Sequence, residues 1–182
     1  MSTLTQIRLL AQYNRWMNEK LYRCALQLPE ENLHADRHAF FGSLFATLHH
    51  IYTGDAVWLK RFATHPTAFA ALEPVRKLAQ PRSIIDFAHS DLGSLWEVRR
   101  ALDETLVAWT EELSEGDLGH TLCYSNTKGV VAARSFESLV LHLFNHQTHH
   151  RGQATTLLSQ EGLDVGTTDL LALIPDRSQP AS

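Results

Sequence analysis

Four long stretches of the chain repeat apolar residues every three or four positions, and this periodicity predicts amphipathic helices. Boundary signals frame the stretches. Ser43 has the side chain of an N-cap, His65-Pro66 breaks the second stretch, and Gly162 follows the fourth as a C′ glycine. The predicted helices span residues 3–28, 43–62, 83–113 and 135–160.

One segment between the third and fourth helices has the pattern of a β-hairpin instead. Residues 120–124 and 130–134 flank the polar, glycine-ended turn 125–129. Residues 66–81 are predicted as a loop with one short turn, and a short helix is expected near 168–174. The predicted fold class is therefore all-α, a four-helix bundle with a small hairpin. Residues 1–175 form one domain in this prediction, followed by a polar tail at 176–182.

The charge pattern argues against nucleic-acid binding. The chain of 182 residues carries a net charge of -4, and its 16 Lys and Arg residues are scattered. The densest basic cluster is the pair Arg99-Arg100, whereas nucleic-acid binding needs a basic stripe. With 44% hydrophobic and 20% charged residues, the composition is that of a globular domain.

Cysteine use and hydropathy favour a cytoplasmic protein without a membrane span. The two cysteines, Cys24 and Cys123, have no spacing typical of a disulfide framework or a CxxC pair. Polar residues interrupt the N-terminal apolar run, unlike in a signal peptide. No stretch approaches the ~20 apolar residues of a membrane-spanning helix.

Histidines are the unusual feature of the composition, with 11 in the chain. Four of them lie in the fourth helix, and helical periodicity separates them by face. His150 falls inside the apolar stripe, roughly 40° from its centre, and His146 lies at its edge, roughly 80° away. His142 and His149 project off the stripe. The spacing thus selects His146 and His150 as an inward pair one turn apart.

An i, i+4 histidine pair can present two nitrogens to one metal ion. The alternative is a core network in which each buried histidine bonds a carbonyl, and the pair alone leaves the two interpretations balanced. Gln147 follows His146, so the glutamate base of an HExxH metalloprotease is missing. A third ligand has to come from another helix, where His49 and His50 are candidates that periodicity does not separate. Ala46 and Gly54 in the row of His50 leave room for an ion and weakly favour that residue.

These segments also resemble the DinB family of metal-binding helical bundles, over nearly the whole chain. The similar segments are YNRWMN (13–18), LHHIYTGDAVWLKRF (48–62), HLFNHQTHHRGQ (142–153) and GLDVGTTDLL (162–171). By this match His50 corresponds to the ligand of the second helix, and His146 and His150 correspond to the family's histidine pair. The resemblance implies a bundle with helix directions up, down, down, up and a homodimeric assembly.

The resemblance further implies one divalent ion on His50, His146 and His150, with nickel or zinc favoured and iron, manganese or copper as further candidates. Characterised relatives include transferases and isomerases that use a low-molecular-weight thiol, and others are described as hydrolases. We therefore expect a metal-dependent enzyme that activates a thiol or water for attack on a small electrophile. The alternative is a non-catalytic metal-binding stress-response protein in which the metal is structural.

No catalytic acid or base is assigned from the sequence. Asn145 and Gln147 are candidates to support the ligands, and Tyr52 and Tyr124 to line a pocket. Asp55 is a third candidate to support the ligands, although a position at the surface or beside a capping loop is favoured over a catalytic role. Arg151 and Gln153 are expected to anchor the fourth helix or to bond a neighbouring loop.

Overall fold

Helices make up most of the computed structural model, which describes residues 2–79, 89–126, 129–176 and 178. The α-helices in this part of the chain are α1 (Thr3–Ala25), α2 (Glu30–His34), α3 (Leu44–Phe62), α4 (Glu73–Lys77), α5 (Leu92–Glu112), α6 (Glu115–Leu118) and α7 (Phe136–Gln160). Two 3₁₀ turns cover Ala70–Leu72 and Leu170–Leu173. None of the described helices combines the length and apolar character needed to cross a membrane.

The only sheet of the described residues is a hairpin of two antiparallel strands, β1 (Thr121–Ser125) and β2 (Val131–Ser135). Both strands end one residue later than predicted, with Thr121 paired to Ser135 and Ser125 to Val131. Residues 127 and 128 of the predicted turn lie outside the described residues. The prediction of a mostly helical chain with a small hairpin before the last long helix is confirmed.

Side-chain caps explain where α3 and α7 begin, and a glycine explains where α7 ends. Ser43 accepts a hydrogen bond from the backbone N–H of Ala46, and Ser135 does the same for Ser138. Gly162 adopts a φ of +75°, and the N–H of Leu163 then reaches the carbonyl of Leu158 at 3.1 Å. Glycine takes this left-handed conformation without steric strain, which ends the helix as predicted.

Two predicted helix boundaries are wrong. The first helix ends at Ala25 rather than at residue 28, and α5 begins at Leu92 rather than near residue 83. His89 and Ser90 are not helical, since Asp91 is the N-cap and accepts the N–H of Ser94 at 2.8 Å. This cap satisfies an otherwise unpaired donor at the helix start. Residues 83–88 of the predicted helix, including Ile84 and Phe87, lie outside the described residues.

Short helices lie in the connections for which the apolar periodicity predicts no helix. The segment predicted as a loop with one turn contains a 3₁₀ turn followed by α4. The one-turn α6 forms because Ser114 and Asp117 cap each other's backbone N–H groups. Helices of four or five residues are too short to show a 3.6-residue repeat.

The four long helices contact one another in a closed ring. α1 packs against α5 and α7, and α3 packs against the same two helices. Two clusters of buried apolar side chains fill the interior. Larger members of the first cluster are Leu59, Phe62, Leu106, Trp109, Phe136 and Leu143. Larger members of the second are Leu21, Tyr22, Leu48, Leu95, Leu157 and Leu158.

A buried polar network separates the two clusters. The guanidinium of Arg99 on α5 donates to Asp55 on α3 and to Asp103 one turn further along α5, each at 2.8 Å. The side chains of Arg99 and Asp55 are 0% exposed and that of Asp103 is 2% exposed. Asn18 on α1 donates to Asp103, and Gln147 on α7 donates to Asp55. The network therefore joins all four long helices.

Replacing Arg99 with leucine should strongly destabilise the fold. The change leaves two buried carboxylates without their shared cation, which costs about 3–5 kcal/mol when one partner of a buried ion pair is removed. Urea unfolding of Arg99→Leu against the wild type measures this loss. The neighbouring Arg100 is exposed, so Arg100→Leu should change the free energy of unfolding by less than about 0.5 kcal/mol. Similar losses in both variants would contradict the role given to the network.

Candidate metal centre

Three histidines from two helices converge beside the polar network. His50 lies on α3, and His146 and His150 lie one turn apart on α7; each offers a ligand atom within 4.8 Å of the other two. The Nε2 atoms of His50 and His146 are 3.2 Å apart. Two nitrogens on one tetrahedral ion, with bonds of about 2.0–2.1 Å, would be about 3.3 Å apart. The spacing of these two imidazoles is therefore that of ligands to a shared ion.

The ring of His146 fills a space that exists because residue 54 has no side chain. A Cβ atom placed on Gly54 would lie 2.7 Å from Cε1 of His146, inside van der Waals contact. Gly54 follows His50 by four residues, so this space lies one turn along α3 from the first imidazole. The glycine lets the two helices bring His50 and His146 together.

His150 is oriented by a side chain one turn further along α7. Its Nδ1 lies 2.8 Å from Oε1 of Gln153, so Nδ1–H donates and Nε2 keeps its lone pair. Such a second hydrogen bond fixes the tautomer and ring direction of a metal-binding histidine. Phe41, in the loop before α3, covers the cluster. The centre of its ring lies 4.0 Å from that of His50, in a stacked arrangement, and 5.3 Å from that of His150, in an edge-on arrangement.

The environment keeps the imidazoles of His146 and His150 neutral. Burial is the main cause that lowers the pKa of His146 to about 3, and repulsion from His150 and His50 adds to it. Burial also lowers the pKa of His150, although its hydrogen bond to Gln153 opposes the shift. Both rings are therefore unprotonated near neutral pH, which is the form that binds metal ions.

The residues fit a divalent metal ion. The Nε2 of His146 faces the Nε2 of His50 at 3.2 Å, while its buried Nδ1 has no hydrogen-bond partner among the described residues. Within the same residues, no carboxylate or cysteine joins the three imidazoles to complete a closed ligand set. Imidazole nitrogen suits zinc, nickel, copper and iron. Ligation by His50, His146 and His150 stays a prediction that this geometry supports.

The other histidines near the cluster point elsewhere. His142 and His149 are exposed, in agreement with the faces assigned by periodicity. His49 is buried but turns away from the cluster, with its Nδ1 3.2 Å from the hydroxyl of Thr53. Periodicity did not choose between His49 and His50 because both are buried; the structure places His50 in the cluster.

Several residues have other positions than the sequence suggested. The surface position expected for Asp55 is wrong, since its carboxylate is fully buried against Arg99. Gln147 also faces this network rather than the imidazoles, and Asn145 is exposed. Arg151 is buried and donates to Asn14 on α1, so it anchors α7 to α1 as expected of a helix anchor.

Gln153 and Phe41 contact the histidines, but the sequence did not lead us to predict either contact. Gln153 follows His150 by three residues, a spacing that brings side chains together on a helix and could have indicated the contact. Phe41 lies in a loop outside any periodic pattern, so no signal in the sequence connects it to the histidines.

Comparison with known proteins places the chain in a family. The family model for the DinB family matches residues 1–178. The chain belongs to the DinB family. It is 26% identical over 162 residues to Protein DinB of Bacillus subtilis (strain 168), an alignment that covers 88% of each chain. No solved structure matches the chain.

Alanine substitutions should separate the proposed ligands from their neighbour. We expect His50→Ala, His146→Ala and His150→Ala each to abolish stoichiometric metal binding, because each removes one of three donor nitrogens. His149→Ala should retain the metal, since His149 is exposed on another face of α7. Elemental analysis after metal loading and dialysis measures the bound ion. Loss of metal in all four variants, or its retention in any of the first three, would refute the assignment.

Filling the space at Gly54 should weaken metal binding without unfolding the protein. In Gly54→Ala the new methyl group pushes the His146 ring away, and we expect an affinity loss of about 10- to 100-fold, as when groups that orient ligands are changed. Gly152→Ala on α7 is the matched control, because a Cβ there meets no atom within 4 Å. Competition with a chelating dye gives the affinities. Equal affinities for both variants would show that Gly54 does not position His146.

Proposed function

We propose that this member of the DinB family is a metal-dependent enzyme that activates a thiol or water for attack on a small electrophile. A thiol S-transferase and a hydrolase are the two reaction types that we consider. The observation that carries the proposal is the set of three converging imidazoles, His50, His146 and His150, without a charged ligand among the described residues. Sites with three protein ligands and an open position are typical of catalytic rather than structural zinc.

The charge of the ligand set supports this choice. Three neutral imidazoles leave the full positive charge of a divalent ion uncompensated by protein. A divalent ion in this position supplies Lewis acidity, which lowers the pKa of a thiol or of water so that a nucleophile is available near neutral pH. Nickel and zinc are the ions that we favour, with iron, manganese and copper as further candidates.

The protein's own residues would orient and shield such a reaction. Gln153 holds the lone pair of His150 on Nε2, and Gly54 leaves the space in which His146 sits. Phe41 covers His50 on one side and excludes water there. His146 itself is only partly covered, so the cluster borders solvent through which a small molecule can approach.

We propose in addition that the four long helices form a bundle with directions up, down, down, up. The order in which the helices pass the two apolar clusters supports this arrangement. α1 and α7 contribute to the first cluster before the second, whereas α3 and α5 contribute to the second before the first. A homodimeric assembly, a small-molecule substrate and a cytoplasmic location stay predictions from the sequence.

A thiol and electrophile assay tests the function. Purified protein loaded with nickel or zinc is incubated with cysteine, N-acetylcysteine or glutathione and with 1-chloro-2,4-dinitrobenzene; p-nitrophenyl acetate tests hydrolysis. We expect metal-dependent consumption of a thiol with the electrophile, or of the ester, that is lost in His146→Ala and kept in His149→Ala. A metal-dependent rise in melting temperature without turnover of any probe would overturn the proposal and favour the non-catalytic metal-binding protein.

A further inference from the structure

Arg61, a positively charged residue with no ion-pair partner among the described residues, lies near the candidate metal centre. The guanidinium of Arg61, near the end of α3, forms no hydrogen bond or ion pair with another described residue. It is instead enclosed by two aromatic rings, 4.5 Å from the centre of Trp58 and 4.9 Å from that of Tyr124 in β1. Its side chain is only partly covered, so its N–H donors are accessible from solvent.

This group is connected to the imidazoles by a continuous row of rings. The ring of Trp58 lies 5.0 Å from that of His142, which lies 6.0 Å from that of His146. On α3, His50, Gly54 and Trp58 follow at four-residue intervals, so they share one face of the helix. We call Trp58, Arg61, Tyr124 and His142 the Arg61 site. It adjoins the histidine cluster along the α3–α7 interface.

The Arg61 site has the properties of an anion-binding subsite. The rings hold the guanidinium plane in place, which leaves its edge N–H groups as oriented donors. A planar fork of donors matches the two oxygens of a carboxylate.

We propose that Arg61 binds the carboxylate of the small molecule that reacts at the metal centre, an inference that rests on the proposed function. At a rise of about 1.5 Å per residue, the eleven positions from His50, the candidate ligand on α3, to Arg61 span roughly 16 Å along the helix. The Arg61 side chain folds back over Trp58, three residues earlier, which shortens this distance. The molecule would therefore bridge roughly 12–16 Å between the metal and the guanidinium, its bonds to both included, as a short peptide can.

Three related peptides test the inference on the zinc-loaded protein. N-acetyl-Cys-Gly carries a thiol and a carboxylate, its C-terminal amide lacks the carboxylate, and N-acetyl-Ser-Gly lacks the thiol. Isothermal titration gives the dissociation constants, and the indole N–H signal of Trp58 in NMR spectra locates the binding. We expect the amide to bind about tenfold more weakly than the acid, as for loss of one charge-assisted hydrogen-bond pair.

Variants of Arg61 show whether this residue causes the preference. Arg61→Gln should bind acid and amide equally, and Arg61→Lys should keep part of the preference because it keeps the charge. The matched control is Arg100→Gln, which removes an arginine stacked on Trp96 of α5, away from the histidines. It should leave the preference unchanged. All three variants should bind metal stoichiometrically, so a failure to fold would be detected separately.

The outcomes distinguish this inference from the proposed function. Equal binding of acid and amide by the wild type, or a preference that survives Arg61→Gln, would overturn the assignment of Arg61 even if the thiol binds in a metal-dependent manner. Equal, Arg61-dependent binding of N-acetyl-Ser-Gly and N-acetyl-Cys-Gly, with no gain from the thiol, would support Arg61 and count against thiol activation.

Discussion

The guanidinium of Arg99 is buried among four helices, where it has to contact its two carboxylates. The packing of the four helices depends on this requirement. Arg99 lies between Asp55 and Asp103, with each of these side chains excluded from solvent. An isolated charge in such a position would be very unfavourable, so α3 and α5 can pack only with the pair aligned. Asn18 and Gln147 extend the same constraint to α1 and α7.

The histidine cluster depends on this alignment because, on both α3 and α7, a residue of the polar network directly follows a residue of the histidine cluster. Gln147 follows His146, and Asp55 follows Gly54, so each helix turns one side chain to the network and its neighbour towards the imidazoles. Successive residues on a helix differ by about 100° in direction. A rotation of α7 that broke the contact between Gln147 and Asp55 would therefore also separate His146 from His50. The charged interior and the cluster of histidines are consequences of one packing arrangement.

Much of the fold could be predicted from local patterns. The apolar repeat located the four long helices, and caps such as Ser43 and Gly162 marked their ends correctly. The errors occurred where a polar side chain overrides the repeat, as Asp91 does at the start of α5. The one-turn helices were missed because a repeat of 3.6 residues cannot appear in so few positions. The direction of each long helix also depends on which of the two apolar clusters each of its ends contacts, and no local pattern in the sequence contains that information.

The sequence by itself determined that His146 and His150 share one edge of a helix, because helical geometry is set by spacing along the chain. The cysteine spacing and the scattered basic residues also predict that the chain has no disulfide framework and does not bind nucleic acid, because both predictions depend only on the identity and order of the residues. Helical periodicity did not choose between His49 and His50, and the tertiary structure places His50, which the family resemblance indicated, beside this pair. The tertiary structure alone decided that Asp55 belongs to a buried ion pair and that Phe41 covers the cluster. Those outcomes depend on how two helices and a loop are rotated against each other. Contacts between residues 44 or 96 positions apart set that rotation, and they exist only after the chain has folded.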